Sequence, residues 1–218
     1  MKGSNSGNEE HKRLYDIYLE HGFLYLKDNG ISADLIQQTI DASRNFFQLP
    51  EETKKAYGQD KQTVYPNTSR GDVPLYGEIL HEDMGPDPKK IFDLGIEHLP
   101  SDKPFIGTTV IPDDTVAPSF AASHYQLQGE IMTKIVSPLL RTLAIALNLD
   151  ADRFNPYFND PILIHQTIYY PSESGIAGKP TDNGIFTVLI QEYFPSPSLR
   201  VYAKNTWIDA EYLEDAEN

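Results

Sequence analysis

Two runs rich in β-branched and aromatic residues constrain the fold of this chain more than any other feature. They are PILIHQTIYYP, residues 161–171, and GIFTVLIQEYF, residues 184–194. Such residues suit a pleated, half-buried surface, and each run is bounded by Pro or Gly, as strands usually are. A third segment, SLRVYAKNTWIDA (residues 198–210), predicts two short strands around a turn at Lys204-Asn205-Thr206. The second half of the chain is therefore expected to form a β-sheet.

Helical segments precede this sheet. The run HGFLYLKDNG (residues 21–30) predicts a short strand closed by a turn, and ISADLIQQTIDASRNFFQLP (residues 31–50) has apolar side chains at helical spacing. A longer helix is predicted over residues 120–149, with Pro138 expected to kink it. Between the helices, residues 58–120 are rich in Gly, Pro, Asp and Thr, which predicts a long irregular region that is functional or covers a ligand.

Composition narrows the classes of function. The chain of 218 residues has 18 Lys and Arg against 32 Asp and Glu, a formal net charge of −14. An acidic surface of this kind repels phosphates, so nucleic-acid binding is not expected. The absence of cysteine excludes disulfides, thiolate metal ligands and iron–sulfur clusters. No apolar stretch approaches the roughly 18 residues of a membrane span. The polar residues 1–10 predict a disordered tail, and the whole pattern predicts a cytoplasmic protein without a membrane segment.

Several segments, taken in order, share motifs with one enzyme family. They are HGFLYLKDNGISADLIQQTIDASRNFFQLPEETKKAY, RGDVPLYGEILHEDMGPDPKKIFDLG, LNLDADRFNPYFNDPILIHQTIYYPS, and GKPTDNGIFTVLIQE followed by SLRVYAKNTWIDA. Their spacing matches an amino-terminal helical segment, a loop, the approach to a barrel, and the strands around a His-x-Asp motif. Over about residues 12–210 the chain thus resembles the isopenicillin-N-synthase-like family of iron(II)/2-oxoglutarate-dependent dioxygenases.

The resemblance implies an α+β fold with a mainly β core. That core is a double-stranded β-helix, or jelly roll, with amino-terminal helices packed on it. Residues 11–120 would form the amino-terminal helical and loop region, and residues 121–218 the long helix with the first strands of an incomplete jelly roll, as a single fold unit. In this family two histidines and one carboxylate hold Fe(II), and 2-oxoglutarate completes the coordination. The implied function is oxidation of a small organic molecule.

The resemblance also places individual site residues. The aspartate of His-x-Asp falls on Asp182, and its histidine falls on Pro180, which has no atom to donate to a metal. Tyr170 falls on the tyrosine that contacts 2-oxoglutarate, although Ile168 stands where the family has Asn. The second histidine and the Arg-x-Ser anion clamp would lie beyond the last residue of this sequence. The prediction is an incomplete iron site, with Asp182 as the metal ligand and Tyr170 as the co-substrate contact.

Each of these residues has an alternative interpretation. Asp182, beside Asn and Gly, is a common turn former, and Tyr170 can simply pack on a strand. His165 is better explained by a hydrogen bond on a sheet face than by metal ligation. Lys89-Lys90 is interpreted as loop structure.

The function has alternatives too. One is a catalytically inactive, dioxygenase-like protein that binds a small molecule or a protein; another is one half of a split enzyme, or a truncated product. Exposed sheet edges would then be covered by a protein partner or by self-association.

Overall fold

The structure is a computed structural model that describes residues 5–63, 70–80, 85–99, 102–171, 184–194 and 199–213. The chain is α+β, as predicted from the sequence. Its helices and strands in chain order are α1 (Asn5–His21), α2 (Ala33–Gln48), α3 (Glu51–Lys54), β1 (Gly71–Val73), β2 (Lys90–Leu94), α4 (Phe120–Ile131), α5 (Ser137–Ala146), β3 (His165–Tyr169), β4 (Leu199–Ala203) and β5 (Thr206–Ala210). Short 3-10 turns occupy Lys55–Tyr57, Gln59–Lys61 and Asn155–Tyr157.

The predicted long helix is divided into two α-helices by a π-helical stretch. This stretch, Met132–Val136, joins α4 to α5 directly ahead of Pro138. Proline has no N–H to donate to the carbonyl four residues earlier, so the helical ladder cannot continue unchanged through it. A widened turn is one of the recognised ways to absorb such a break. The sequence therefore predicts the position of the irregularity correctly, and the structure shows its form.

The chain divides into two compact units. One unit comprises Met1–Ile36, Leu127–Asp160 and Phe186–Asn218, and the other comprises Gln37–Gln126 and Pro161–Ile185. In the first unit α1 contacts α5, which buries Leu140 and Ala144. The first unit also contains the hairpin formed by β4 and β5.

The second unit contains a three-stranded antiparallel sheet in the order β1-β2-β3. Phe92 of β2 packs with Phe46 of α2 and Phe120 of α4; all three are 0% exposed and their ring centroids lie 4.8 to 5.1 Å apart. Burial of each ring contributes about 1.5–3 kcal/mol, so this cluster is the main apolar support of the sheet. The remaining buried members of the core are Ala42, Phe47, Leu94 and Ala117.

The hairpin prediction is confirmed. Strands β4 and β5 pair in antiparallel register, with Ala203 opposite Thr206. The two residues between them, Lys204 and Asn205, have φ values of 49° and 61°. Positive φ at both positions is the condition for the tight turn whose twist matches that of paired strands.

The structure differs from the sequence predictions in several places. Strands β1 and β2 lie inside residues 58–120, which were predicted to be irregular. Residues 22–32 and 184–194 contain no strand, because their extended segments have no ladder partner among the residues that the structure describes. Helix α1 begins at Asn5, within the segment predicted to be disordered.

Candidate functional site

Tyr170 directly follows β3 and shares a sheet face with Gln166 and Ile168, because alternate side chains of a strand point to opposite faces. On β3 this face is partly exposed, with Ile168 at 39% and Tyr170 at 52%, whereas on the neighbouring β2 it is buried, with Ile91 at 0% and Asp93 at 2%. The opposite face carries the polar residues His165 and Thr167 toward the interior. An ordinary surface strand has its apolar residues inside and its polar residues outside. On β3 the order is partly reversed, since Ile168 is exposed while His165 and Thr167 are only partly exposed.

Lys89 lies beside Tyr170 and is only 6% exposed. Its Nζ atom is 2.7 Å from Oε2 of Glu78 and 3.8 Å from Oδ2 of Asp87. The backbone N–H of Asp87 also donates to the carbonyl of Glu78 at 2.8 Å. A buried ammonium is tolerated only when carboxylates compensate its lost hydration, and here two of them do so.

The hydroxyl of Tyr170 remains protonated at neutral pH. Burial raises the pKa of this phenol, and the negative charges of Asp87 and Glu78 raise it further, whereas Lys89 lowers it. A protonated phenol is a hydrogen-bond donor. Tyr170 can therefore donate to an oxygen of a bound carboxylate, which is the role that the sequence resemblance predicts for it.

Asp93 of β2 lies on the same face as Tyr170. Its cross-strand neighbours are Gly71, which has no side chain to cover it, and Gln166, whose amide donates to its carboxyl group. Asp93 is 2% exposed, and burial raises its pKa to about 7; the Gln166 hydrogen bond lowers it, Glu78 raises it and Lys89 lowers it. Its Oδ1 atom has no hydrogen-bond partner among the described residues.

Glu78, Asp87 and Lys89 act on Tyr170, and Glu78 and Lys89 also act on Asp93, which pairs with Gln166 four residues before Tyr170. We call Glu78, Asp87, Asp93 and Lys89 together the carboxylate cluster. Sequence reasoning interpreted Lys89-Lys90 as loop structure, whereas Lys90 begins β2 and Lys89 is buried. The run KKIFDL (residues 89–94) does not alternate strictly between polar and apolar residues, so it carried only a weak strand signal. In the strand that forms, Lys89 and Asp93 are on one face because they are an even number of residues apart.

The other face of β3 contacts a pair of histidines, of which His124 is buried and His165 is partly buried. Nδ1 of His124, on α4, is 3.2 Å from Nε2 of His165, and Nε2 of His124 is 3.0 Å from Oγ of Ser43. Burial lowers the pKa of His124 to about 3, helped by His165, and lowers that of His165 to about 4. Both rings are therefore neutral at physiological pH. The hydrogen-bonded interpretation of His165 agrees with this geometry, but no sequence signal linked it to His124.

The predicted iron corner lies outside the described residues, since both Asp182 and Pro180 fall in the segment 172–183. Within the part of the chain that the structure describes, no group of three or more His, Asp or Glu side chains is arranged to hold a metal ion. Of the two predicted corner positions, only Asp182 has a donor atom that suits Fe(II). A single carboxylate holds Fe(II) weakly, because affinity comes from several donors that converge on the ion. Asp182 as a metal ligand stays a prediction.

The comparisons with known proteins agree with the motifs. A family model described as "non-haem dioxygenase in morphine synthesis N-terminal" matches residues 2–114, just over half of the chain. The "Probable iron/ascorbate oxidoreductase" of Dictyostelium discoideum is 28% identical over 246 residues, covering 95% of this chain and 65% of that protein. A 2-oxoglutarate-dependent dioxygenase of Aspergillus niger is 26% identical over 209 residues, covering 90% of this chain and 62% of that protein. The chain spans between 51% and 66% of the length of the curated relatives it matches.

A solved structure shares the fold over nearly the whole chain. It is that of a full-length Neurospora crassa protein in complex with alpha-KG and thymine, at a TM-score of 0.76 and 21% identity, covering 98% of this chain and 68% of the Neurospora chain. At this identity the likeness concerns the fold alone. In the described residues no helix is long and apolar enough to cross a membrane.

Proposed function

Because this chain belongs to the non-haem, 2-oxoglutarate-dependent dioxygenase family, we propose that it serves as an oxidoreductase of this type acting on a small organic molecule. The observation that carries the proposal is the placement of Tyr170 on the partly exposed face of the sheet. Its hydroxyl keeps its proton and the residue as a whole is 52% exposed, so it can donate to a carboxylate of 2-oxoglutarate.

The side chains on this face have separate tasks in the proposal. Tyr170 positions 2-oxoglutarate by one hydrogen bond to a carboxylate oxygen. Lys89 contributes the positive charge nearby, although Glu78 and Asp87 already compensate it. Ile168 offers the exposed apolar surface against which an organic substrate packs. When bound, Fe(II) with 2-oxoglutarate would supply the oxidising chemistry, and Asp182 is the residue proposed to ligate it.

Binding of 2-oxoglutarate to purified protein tests the role of Tyr170. Loss of one charge-assisted hydrogen bond costs about 1.5 kcal/mol or more, so Tyr170→Phe should weaken 2-oxoglutarate binding about tenfold. Tyr157→Phe is the matched control, because Tyr157 is 66% exposed and lies in a 3-10 turn of the other unit. Equal affinities of the two variants for 2-oxoglutarate would show that Tyr170 does not contact it.

Retained iron and succinate formation test the oxidoreductase activity itself. An oxidoreductase that is active alone would retain ferrous iron and convert 2-oxoglutarate to succinate despite Pro180, and Asp182→Asn would reduce both. Asp102→Asn makes the same change of charge at an exposed loop residue and should reduce neither. Iron-free protein that forms no succinate would contradict the catalytic part of the proposal.

A second candidate is a dioxygenase-like protein that binds a small molecule or a protein without catalysis. Pro180 favours it, because proline cannot replace the histidine ligand expected at that position. The exposed apolar face of β3 would then serve as a docking surface for a ligand, a protein partner or a second copy of the chain. A related candidate is one half of a split enzyme. In that case a partner polypeptide would supply the missing metal ligands, and the chain alone would be inactive.

The two candidates give different results in one set of measurements. A binding protein would hold 2-oxoglutarate or another small molecule in a Tyr170-dependent manner and yield no succinate. A split enzyme would form succinate only after addition of a partner polypeptide carrying the missing donors. An oxidoreductase that is active alone would form succinate without any addition.

A further inference from the structure

Two side chains of β3 connect this strand to two helices through one continuous set of hydrogen bonds. Nε2 of His165 is 3.2 Å from Nδ1 of His124 on α4, and Nε2 of His124 is 3.0 Å from Oγ of Ser43 on α2. Thr167 of β3 donates to the same Oγ at 2.9 Å, and Ser43 donates to the carbonyl of Thr39 at 2.7 Å. At these two positions β3 is therefore fixed to α2 and α4 by polar contacts rather than by apolar packing.

This set of hydrogen bonds requires both histidines to be neutral. A neutral imidazole offers one N–H and one acceptor nitrogen, and the contact between the two rings uses one of each. A proton on the acceptor nitrogen would leave two N–H groups facing each other. A proton elsewhere on the pair would place a positive charge in surroundings that are poor in water. Protonation therefore weakens the connection between β3 and the helices.

The described groups that contact the pair do not compensate a positive charge. They are Ser43 of α2, Phe120 of α4 and, opposite His165 on β2, Leu94, and all three are neutral. Burial lowers the pKa of His124 to about 3, with a smaller contribution from His165, and burial lowers the pKa of His165 to about 4. Below pH 6.5 a released pair takes up protons that the hydrogen-bonded pair does not, so acid favours release.

Strand β3 is placed so that it can separate without unfolding of the rest of the sheet. In the order β1-β2-β3 it is an edge strand, with β2 as its one ladder partner among the described residues. Beside this ladder and the histidine contacts, the ring of Tyr169 stacks on that of Phe47 at 5.8 Å between centroids. All five residues of β3 are at least partly exposed, and local opening begins with elements that have few buried contacts.

We propose that protonation of the His124–His165 pair releases the edge strand β3 from α2 and α4 while β1 and β2 remain folded. Release displaces the strand that directly precedes Tyr170, so the pair acts as an acid-sensitive switch on the position of Tyr170. The release itself does not depend on the proposed function, whereas its effect on 2-oxoglutarate binding rests on that function.

Hydrogen exchange of the full chain at pH 7 and pH 5 tests the release in the wild-type protein alone. After correction for the effect of pH on exchange in unstructured peptides, protection of the β3 amides should fall at least about tenfold between pH 7 and pH 5. The fall is expected because the pKa of His165 is lower in the hydrogen-bonded form than in the released form. Amides of β1 and α2 should keep their protection. Unchanged protection of β3, or an equal loss in β1 and α2, would overturn the proposal.

Three variants separate the titration of the pair from its hydrogen bonds. His165→Gln keeps an N–H donor but cannot titrate, so the fall in β3 protection should shrink several-fold. His21→Gln, at an exposed residue at the end of α1, should leave the fall unchanged. Thr167→Val removes the hydrogen bond to Ser43 without removing a titratable group, so it should speed β3 exchange equally at both pH values. An unaltered pH dependence in His165→Gln would show that the pair does not cause the release.

Failure of this inference can be distinguished from failure of the proposed function. Binding of 2-oxoglutarate should weaken from pH 7 to pH 5 more in the wild type than in His165→Gln, and this comparison cancels the effect of pH on 2-oxoglutarate itself. A protein that releases β3 in acid but binds no 2-oxoglutarate would retain the switch and lose the proposed function. A protein that binds 2-oxoglutarate through Tyr170 and keeps β3 protected at pH 5 would retain the function and lose the switch.

Discussion

Nδ1 of His124 and Nε2 of His165 are 3.2 Å apart on the buried face of the sheet, and the surrounding hydrogen bonds define which nitrogen carries each proton. Ser43 donates its hydroxyl proton to the carbonyl of Thr39 at 2.7 Å and accepts from Thr167 at 2.9 Å. His124 must therefore donate from Nε2 to Ser43, which leaves its Nδ1 as the acceptor for an N–H on Nε2 of His165. This assignment satisfies every donor with both histidines neutral.

The neutral histidine pair predicts a loss of stability in acid. The pKa of His165 is about 4 in the folded protein and about 6.5 in the unfolded chain, so below pH 6.5 only the unfolded chain takes up the proton. The stabilisation is present above pH 6.5 and is lost as the pH falls toward 4. His165→Gln keeps an N–H donor but cannot titrate. Between pH 7 and pH 5 the free energy of unfolding of the wild type should fall by about 2 kcal/mol relative to this variant.

Urea unfolding at pH 7, 6 and 5 measures this difference. His21→Gln is the control, because His21 is an exposed residue at the end of α1. Its pH dependence should follow that of the wild type. Parallel curves for His165→Gln and the wild type would show that the pKa of His165 is not lowered in the folded protein.

Asp93 predicts a pH dependence of the opposite sign. Its pKa is raised from 3.8 to about 7, chiefly by burial, so its ionised form costs stability at pH 8 and this cost disappears as the pH falls through 7. Relative to Asp93→Asn, the wild type should gain about 2 to 3 kcal/mol of unfolding free energy between pH 8 and pH 5. Asp102→Asn should show no such difference when measured in the same way. A wild type that loses stability relative to Asp93→Asn over this range would mean that the carboxylate is compensated in the folded protein.

Local signals in the sequence predict part of this structure well. The turn at Lys204-Asn205 and the interruption of the long helix near Pro138 each depend on a few neighbouring residues, and both occur where predicted. Strand β2 was missed because a strand needs a partner, and its partners β1 and β3 lie far away in the chain. No pattern within residues 90–94 shows that this segment pairs with β1 and β3.

The polar groups of the site were predicted less completely for the same reason. The family resemblance placed Tyr170, but the cluster around it joins Glu78 and Asp93 from different segments. The contact between His124 and His165 connects residues 41 positions apart. The residues next to each of these side chains in the sequence give no sign that it is removed from water. Only the fold brings it into contact with the other groups.

The aromatic cluster of the second unit predicts that removal of one ring will strongly lower the free energy of unfolding. Phe46 is 0% exposed and packs against Phe92 at 5.0 Å and Phe120 at 4.8 Å between ring centroids. Phe46→Ala removes the ring without a neighbour that can fill the space, so the free energy of unfolding should fall by about 3–5 kcal/mol. Phe194→Ala, at a residue that is 57% exposed, should change it by less than about 0.5 kcal/mol. Chemical denaturation of both variants measures the difference, and similar costs would contradict the assigned core.

The guanidinium of Arg70 predicts that lysine cannot replace arginine at this position. Arg70 is 4% exposed and donates to Thr109 Oγ1 at 2.9 Å, to the carbonyl of Ile96 at 2.8 Å and to that of Phe105 at 3.2 Å. The compact ammonium of lysine cannot reach all these acceptors, so Arg70→Lys should lower the free energy of unfolding by about 2–4 kcal/mol. Arg153→Lys is the exposed control and should have little effect in the same urea titration.

Substitution of Gly95, which lies against the Arg70 guanidinium, gives a second test of the Arg70 hydrogen bonds. A Cβ atom at residue 95 would lie 2.7 Å from Nη2 of Arg70 and 2.9 Å from the carbonyl oxygen of Leu163, so Gly95→Ala should push the guanidinium out of its hydrogen bonds and also carry a cost from Leu163 that is independent of Arg70. Because both substitutions act on the same group, their costs should not add: the double variant should be more stable than the sum of the single effects predicts, by about 1 kcal/mol or more. Additive costs in a double-mutant cycle would mean that Gly95 is required for a reason unrelated to Arg70.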